Sequence, residues 1–177
     1  MRAPRKLASE SDLYNAALRA LMRRAHSVYE MRRTLERRAD DKTLVRRVLD
    51  RLKEGGLLDD SRYARQFARY HAETRRQGKF RIARDLRGRG VPDRHIESAL
   101  EEVFQEKDEG EMVRKRIDRK LKSFRGPHSD KTVDDRRLAS IYRSLLRAGF
   151  TSDVIRRELR AATKEDLAEL PAPEENV

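Results

Sequence analysis

Apolar residues along this chain recur at helical spacing. Leu13, Ala16, Ala17, Ala20 and Leu21 share one face of a 3.6-residue period, as do Tyr63, Phe67 and Tyr70. Val113, Ile117, Leu121 and Phe124 follow at intervals of four, four and three. β-branched residues are sparse and no stretch alternates with period two, so the pattern predicts helices and no strands. The breaks carry the chemistry of helix ends. Gly55-Gly56 suits a left-handed helix terminus, and Asp59 or Asp60 suits the cap of the next helix. Gly90 before Pro92 and Gly149 before Thr151 repeat the arrangement.

Aligning these breaks exposes an internal repeat. A shift of 51 places Met31, Leu35, Val45 and Leu49 over Ile82, Leu86, Ile96 and Leu100. A shift of 59 carries Ile82, Leu86, Gly90, Ile96 and Leu100 onto Ile141, Leu145, Gly149, Ile155 and Leu159. The eight extra residues fall in a loop-like insertion around Gly126-Pro127-His128-Ser129-Asp130, near 125–132. The expected fold is all-α: an elongated array of three tandem three-helix units, about nine helices in all, each unit resembling a helix-turn-helix. The units span roughly 11–58, 59–108 and 109–162, after a basic extension at 1–10 and before an acidic tail at 163–177, expected to be disordered. Units of this length bury their apolar faces by stacking on their neighbours.

Composition sets the limits of that fold. Leu, Ile, Val and Phe supply 38 of 177 residues, about 21%, while charged residues make up 42%. A thick core around a catalytic cavity is not expected from so few large apolar groups; thin helical layers are. There is no cysteine, which excludes disulfides and thiolate-based zinc or redox chemistry. No apolar run approaches the length of a membrane helix, and the N-terminus lacks the apolar core of a secretory signal, so a cytosolic protein without a membrane partner is expected. The net charge is +12. The tail Thr163–Val177 holds five acids against Lys164, so residues 1–162 carry +16. That excess favours polyanionic partners, nucleic acid first, with the tail as a solubilising end or a weak electrostatic competitor.

Two stretches of the middle unit resemble a known family. Gly56-Leu57-Leu58-Asp59-Asp60-Ser61-Arg62-Tyr63-Ala64 followed by Phe67-Ala68 is similar to the signature of the RecX family of recombinase regulators. So is Gly78-Lys79-Phe80-Arg81-Ile82 running into Asp85-Leu86, Gly90-Val91, Ile96 and Ala99-Leu100. Ser27, Glu30, Leu35 and the Leu49–Leu58 stretch fit the family's first unit, and the resemblance covers about residues 12–162. Ala39-Asp40 stands where the other units have Gly90-Val91 and Gly149-Phe150, and the third unit lacks the Gly-Lys lead-in. The resemblance implies a modulator of the RecA recombinase that lies in the groove of the recombinase–DNA filament. There it would bridge subunits, hinder growth or promote disassembly, and lower ATPase and strand exchange, as a monomer without a catalytic residue or cofactor.

The residue chemistry agrees. His26, His71, His95 and His128 form no i, i+4 ligand pair. Asp59-Asp60 reads as capping, Glu101-Glu102 as a solvated face, and His26–Glu30 as a surface contact. Gly88-x-Gly90 lacks the third glycine of a phosphate loop. The basic residues are more informative. Arg75, Arg76, Lys79, Arg81, Arg84, Arg87 and Arg89 crowd the middle unit; Lys115, Arg119 and Lys122 oppose an apolar stripe, as do Arg136, Arg143 and Arg147. All but Arg89 are the candidate contacts to single- or double-stranded DNA or to the filament. Any one of them alone is a solvated cation; the +16 excess is what argues for a partner. The aromatic residues are assigned mostly to apolar stripes, which leaves little room for stacking on bases. The competing assignment is a helix-turn-helix transcription regulator, which would concentrate base-reading residues on one helix.

Overall fold

The computed structural model describes residues 6–105, 107–124 and 135–163. Among them are nine helices: α1 (Glu10–Leu21), α2 (Val28–Glu36), α3 (Thr43–Glu54), α4 (Asp60–Glu73), α5 (Lys79–Arg87), α6 (Asp93–Gln105), α7 (Glu109–Phe124), α8 (Asp135–Arg147) and α9 (Ser152–Thr163). The protein is all-α. The insertion around Gly126–Asp130, His128 and the tail beyond Thr163 lie outside the described residues.

Local chemistry starts and stops these helices. Ser9 Oγ accepts the Asp12 N–H at 3.0 Å to open α1. Ser27 and Glu30 form a reciprocal capping box on α2, two orphan donors satisfied at once. Asp59, not Asp60, caps α4, accepting from the Ser61 and Arg62 amides at 2.8 and 3.0 Å. The predicted glycine turns are present, with φ of 65° at Gly56, 69° at Gly90 and 90° at Gly149.

The chain divides into two compact units. The first comprises Met1–Ala68 and Ala83–Glu101, the second Arg69–Ile82 and Glu102–Val177. In the first, Leu13, Ala17 and Ala20 of α1 pack with Met31 and Leu35 of α2, and with Val45, Val48, Leu49 and Leu52 of α3. In the second, Val113, Ile117 and Leu121 of α7 meet Leu138, Ile141, Tyr142 and Leu145 of α8, and Ile155 and Leu159 of α9. Each fully buried Leu or Ile contributes about 1.5–3 kcal/mol of transfer free energy. The aligned apolar positions are buried throughout, except Leu100, which is half-exposed. Tyr70, assigned to an apolar stripe, is 49% exposed, because its part of α4 turns that face to solvent.

One contact recurs at the spacing of the repeat. Just past α5, the Arg89 carbonyl accepts Ser27 Oγ at 2.6 Å. Fifty-nine residues on, just past α8, the Ala148 carbonyl accepts the Gly78 N–H at 2.9 Å, and Phe80 N–H reaches Gly149 O at 3.2 Å. Fifty-one residues before Arg89, the Arg38 carbonyl accepts the Leu7 N–H at 2.7 Å, and Asp40 N–H returns to Leu7 O at 3.0 Å. Leu7 and Ala39 thus form an isolated parallel bridge, among the described residues the one departure from a purely helical reading. At Gly149 the approach is so close that an added methyl would run into the Arg81 backbone, and one at Gly78 into the Gly149 carbonyl.

Around Ser27, side chains reinforce the contact. Glu30 accepts from Arg24 at 3.0 Å and Arg89 at 2.8 Å, with the Tyr63 hydroxyl at 3.4 Å. Asp60, free of capping duty, accepts the Val28 N–H at 2.8 Å, and burial pushes its carboxyl up. His26 does not pair with Glu30. It is buried, its Nδ1 lies 2.9 Å from Arg24 O, and burial lowers its pKa. Burial also disfavours the Glu30 carboxylate, but the Arg24 and Ser27 hydrogen bonds and the charges of Arg24 and Arg89 outweigh it and leave its pKa depressed.

Two outcomes follow. Gly149→Ala should destabilise the protein by about 2–4 kcal/mol, adding overpacking to a positive-φ penalty. Gly56→Ala, with φ 65° but nothing within 4 Å of the new methyl, should cost only about 1–2 kcal/mol in the same urea titration. A carboxylate whose pKa is depressed on folding stabilises above its unfolded value and loses that effect as pH falls through the folded one. Glu30→Gln should therefore cost about 1–3 kcal/mol at pH 7. The gap from the parent should narrow as the pH falls below the ordinary glutamate value of 4.5.

Candidate polyanion-binding surface

The twelve candidate cations lie on four stretches of the chain. Arg75 and Arg76 lie in the α4–α5 connection; Lys79, Arg81, Arg84 and Arg87 lie on α5; Lys115, Arg119 and Lys122 lie on α7; Arg136, Arg143 and Arg147 lie on α8. All are exposed except Arg81, which is half-buried where its backbone meets Gly149. Arg84 and Arg87 belong to the first compact unit and the other ten to the second.

Several are already engaged. Arg87 pairs with Asp93 at 2.7 Å and Lys115 with Glu111 at 2.7 Å, exposed contacts of the kind worth less than about 1 kcal/mol. Lys79 approaches Glu109 at 4.0 Å and lies 5.4 Å from the Phe104 ring centroid. Arg75 stands 6.0 Å from the Tyr70 ring. At Arg87, Lys115 and Lys79 part of the positive field is cancelled locally.

A different situation holds at Arg76 and Arg119. Together with Arg116 they form a cluster in the second unit in which cation faces cation. Arg116 is half-buried on α7, one residue before the core Ile117, and its guanidinium stands 6.0 Å from the Phe150 ring centroid. Its pKa is lowered, first by burial and then by the positive charges of Arg119 and Arg76. Among the described residues, no carboxylate pairs with any of the three. Other arginines of this unit are neutralised: Arg114 meets the buried Glu158 at 2.9 Å and Asp108 at 3.5 Å, and Arg157 meets Glu158 at 3.0 Å.

The backbone assembles this cluster. Gly78 is pinned to Ala148 and touches Phe150, for a Cβ there would lie 2.9 Å from Phe150 Cδ1. Phe150 in turn underlies Arg116. Arg76, two residues before Gly78, adopts φ 52°, the one positive φ outside glycine among the described residues. Such conformations cost on the order of 1–2 kcal/mol and persist only where the surroundings impose them. A concentration of uncompensated positive charge on a fixed frame is suited to an anion. Arg116 escaped the sequence analysis because it borders the apolar stripe of α7. Its position beside that stripe, three residues from Arg119, is the signal that could have found it.

Other chemistry is sparse. Among the described residues, no group of three His, Asp or Glu side chains is placed to hold a metal ion. His71 Nδ1 contacts Gln77 Oε1 at 2.8 Å, and Glu102 pairs with Arg69 at 3.2 Å. No helix among these residues is long and apolar enough to cross a membrane.

A base whose pKa is lowered on folding is destabilising while charged, so removing that charge should not weaken the fold. Arg116→Met, which keeps an apolar stem against Phe150, should leave the melting temperature unchanged or raised. It should also elute earlier from heparin. A lower melting temperature with unchanged elution would identify Arg116 as a structural cation instead.

Known proteins share this arrangement of sequence and fold. A family model described as "RecX, second three-helix domain" matches residues 59–100. The regulatory protein RecX of Halorhodospira halophila is 36% identical over 159 residues, covering 90% of this chain and 93% of that protein. The regulatory protein RecX of Trichlorobacter lovleyi is 33% identical over 150 residues, covering 83% and 93%. In fold, the crystal structure of RecX from Lactobacillus salivarius superposes with a TM-score of 0.72 at 21% identity, over 86% of this chain and 95% of that one.

Proposed function

The chain belongs to the RecX family of regulatory proteins, and from that premise we propose that it binds the RecA recombinase–DNA filament and restrains it. The observation that carries this reading is Arg116, half-buried with its guanidinium 6.0 Å from the Phe150 ring centroid and without a carboxylate partner among the described residues, while the charges of Arg76 and Arg119 add to its own. A stability cost retained on a surface is relieved when a polyanion arrives. In this reading the protein is a monomer seated in the filament groove.

Action by binding energy alone is sufficient. Cations meeting phosphates release condensed counterions, so affinity falls steeply with salt. Cations meeting acidic patches of the recombinase steer and register the encounter. A protein held by both sets of contacts opposes subunit addition or loosens subunit packing, which lowers filament assembly, ATPase and strand exchange. In the second unit Arg75, Lys79, Arg81, Lys115, Lys122, Arg136, Arg143 and Arg147 add to the charge of the central three, and Arg84 and Arg87 contribute from the first. Those already paired within the chain contribute less.

The test compares binding to recombinase filaments on single-stranded DNA with binding to naked DNA and to free recombinase, followed by ATPase and strand exchange. Preferential filament binding and reduced ATPase are expected. Reversing charge at Arg81, Arg84 and Arg87 should weaken filament binding without loss of helicity. Equal affinity for naked DNA with no effect on ATPase would overturn the proposal. Selective binding to one duplex sequence would point instead to a helix-turn-helix transcription regulator.

A further inference from the structure

The turn between α2 and α3 carries a backbone edge. Where the later turns place Gly90 and Gly149 at positive φ, Ala39 adopts none, and its backbone pairs as a strand does. The Arg38 carbonyl stands before it and the Asp40 N–H after it. Leu7 takes up both, its N–H donating to Arg38 O at 2.7 Å and its carbonyl accepting from Asp40 at 3.0 Å. Lys6 Nζ adds a contact to the Ala39 carbonyl at 3.4 Å. All these residues belong to the first compact unit.

The cover is slight. Leu7 is half-buried against the core of α1–α3, and its bridge to Ala39 is isolated, with no second pair to extend it. Even a two-stranded pairing of several residues is marginal in water, and a single pair is more so. The backbone contact of this strap rests on two hydrogen bonds, which any donor and acceptor of the same spacing can replace.

What fits the edge follows from its own symmetry. Set two copies antiparallel with Ala39 opposite Ala39, and the Asp40 N–H of each donates to the Arg38 carbonyl of the other. The same register puts the Arg38 side chain of each copy directly opposite Asp40 of the other, two cross-strand pairs of opposite charge. Both side chains are exposed, and among the described residues neither has an ion-pair partner. A phosphate backbone fits poorly, because it offers no donor to the Arg38 carbonyl. An extended segment of another protein meets the hydrogen bonds but not the reciprocal charges. A surface complementary to itself is what a two-fold dimer requires. We propose that Arg38-Ala39-Asp40 is a self-association site, held shut by residues 6–8, at which two copies of the chain pair once that strap leaves. The inference goes beyond the filament-binding reading, whose monomer is the chain with its strap in place.

Sedimentation equilibrium, with circular dichroism as the control for folding, compares the full chain with a shortened chain that starts at Ser9. The full chain should be a monomer. The shortened chain should approach twice the monomer mass as concentration rises, and go no further. Asp40→Pro, which removes the edge donor, should return it to monomer. In the shortened chain, Arg38→Glu and Asp40→Arg each place like charges opposite one another. Each alone should associate roughly tenfold more weakly. Mixed together, the two variants set Glu opposite Arg and Asp opposite Arg, and association should return. Should the shortened chain lose helicity, the same charge exchange is read in Leu7→Pro, which keeps the strap but lacks the amide that reaches Arg38.

A shortened chain of native helicity that stays monomeric would overturn the proposal. So would association that passes beyond the dimer or is indifferent to the charge exchange, which would assign it to exposed apolar surface. None of these measurements involves a recombinase filament, so this inference and the filament reading fail separately.

Discussion

A helix leaves its last carbonyls without partners, and a buried carbonyl must find one. In this protein that requirement organises the chain. The carbonyls of Arg38, Arg89 and Ala148 each stand just past a helix, and each is met by a donor from an earlier segment. The donor differs: an amide of an extended residue, a serine hydroxyl, a glycine amide. The acceptor and its place after the helix do not. Apolar stripes bring helices into contact over a broad surface, but they tolerate sliding and rotation. These polar contacts fix how each segment meets the next, and the candidate site is assembled on one of them.

The charges divide according to what lies around them. Half-buried Glu30 and buried Glu158 each pair with two arginines of the fold. Arg87 and Lys115 take their carboxylates at the surface. Arg76, Arg116 and Arg119 stand apart because burial and mutual repulsion act on Arg116 without an opposing carboxylate. Net charge therefore describes the partner poorly. What matters is where the excess remains after the fold has satisfied itself, and on which backbone it is held.

Much of the fold was legible because periodicity reports burial directly. Eleven of the twelve aligned apolar positions are buried, and Leu100 is partly so. Glycine turns were legible because few residues accept positive φ. Tyr70 and Phe80 were not, since an aromatic at helical spacing fits a stripe whether or not a neighbour covers it. Asp59 and Asp60 both satisfy the local pattern of a cap, and only the distant Val28 amide, which Asp60 accepts, separates their roles. Arg116 was passed over for a related reason: its repulsive neighbour Arg76 lies forty residues away in sequence. The N-terminal extension was read from its basic composition, and composition is silent about a backbone bridge.

That bridge closes a backbone edge. An unpaired carbonyl and amide at the end of an array form an edge onto which another chain can add. Leu7 occupies this edge at Arg38 and Asp40 with its own backbone. Stacked architectures need a distinct terminal element for solubility, usually a whole modified unit. At Arg38 and Asp40 the pairing comes from one extended residue.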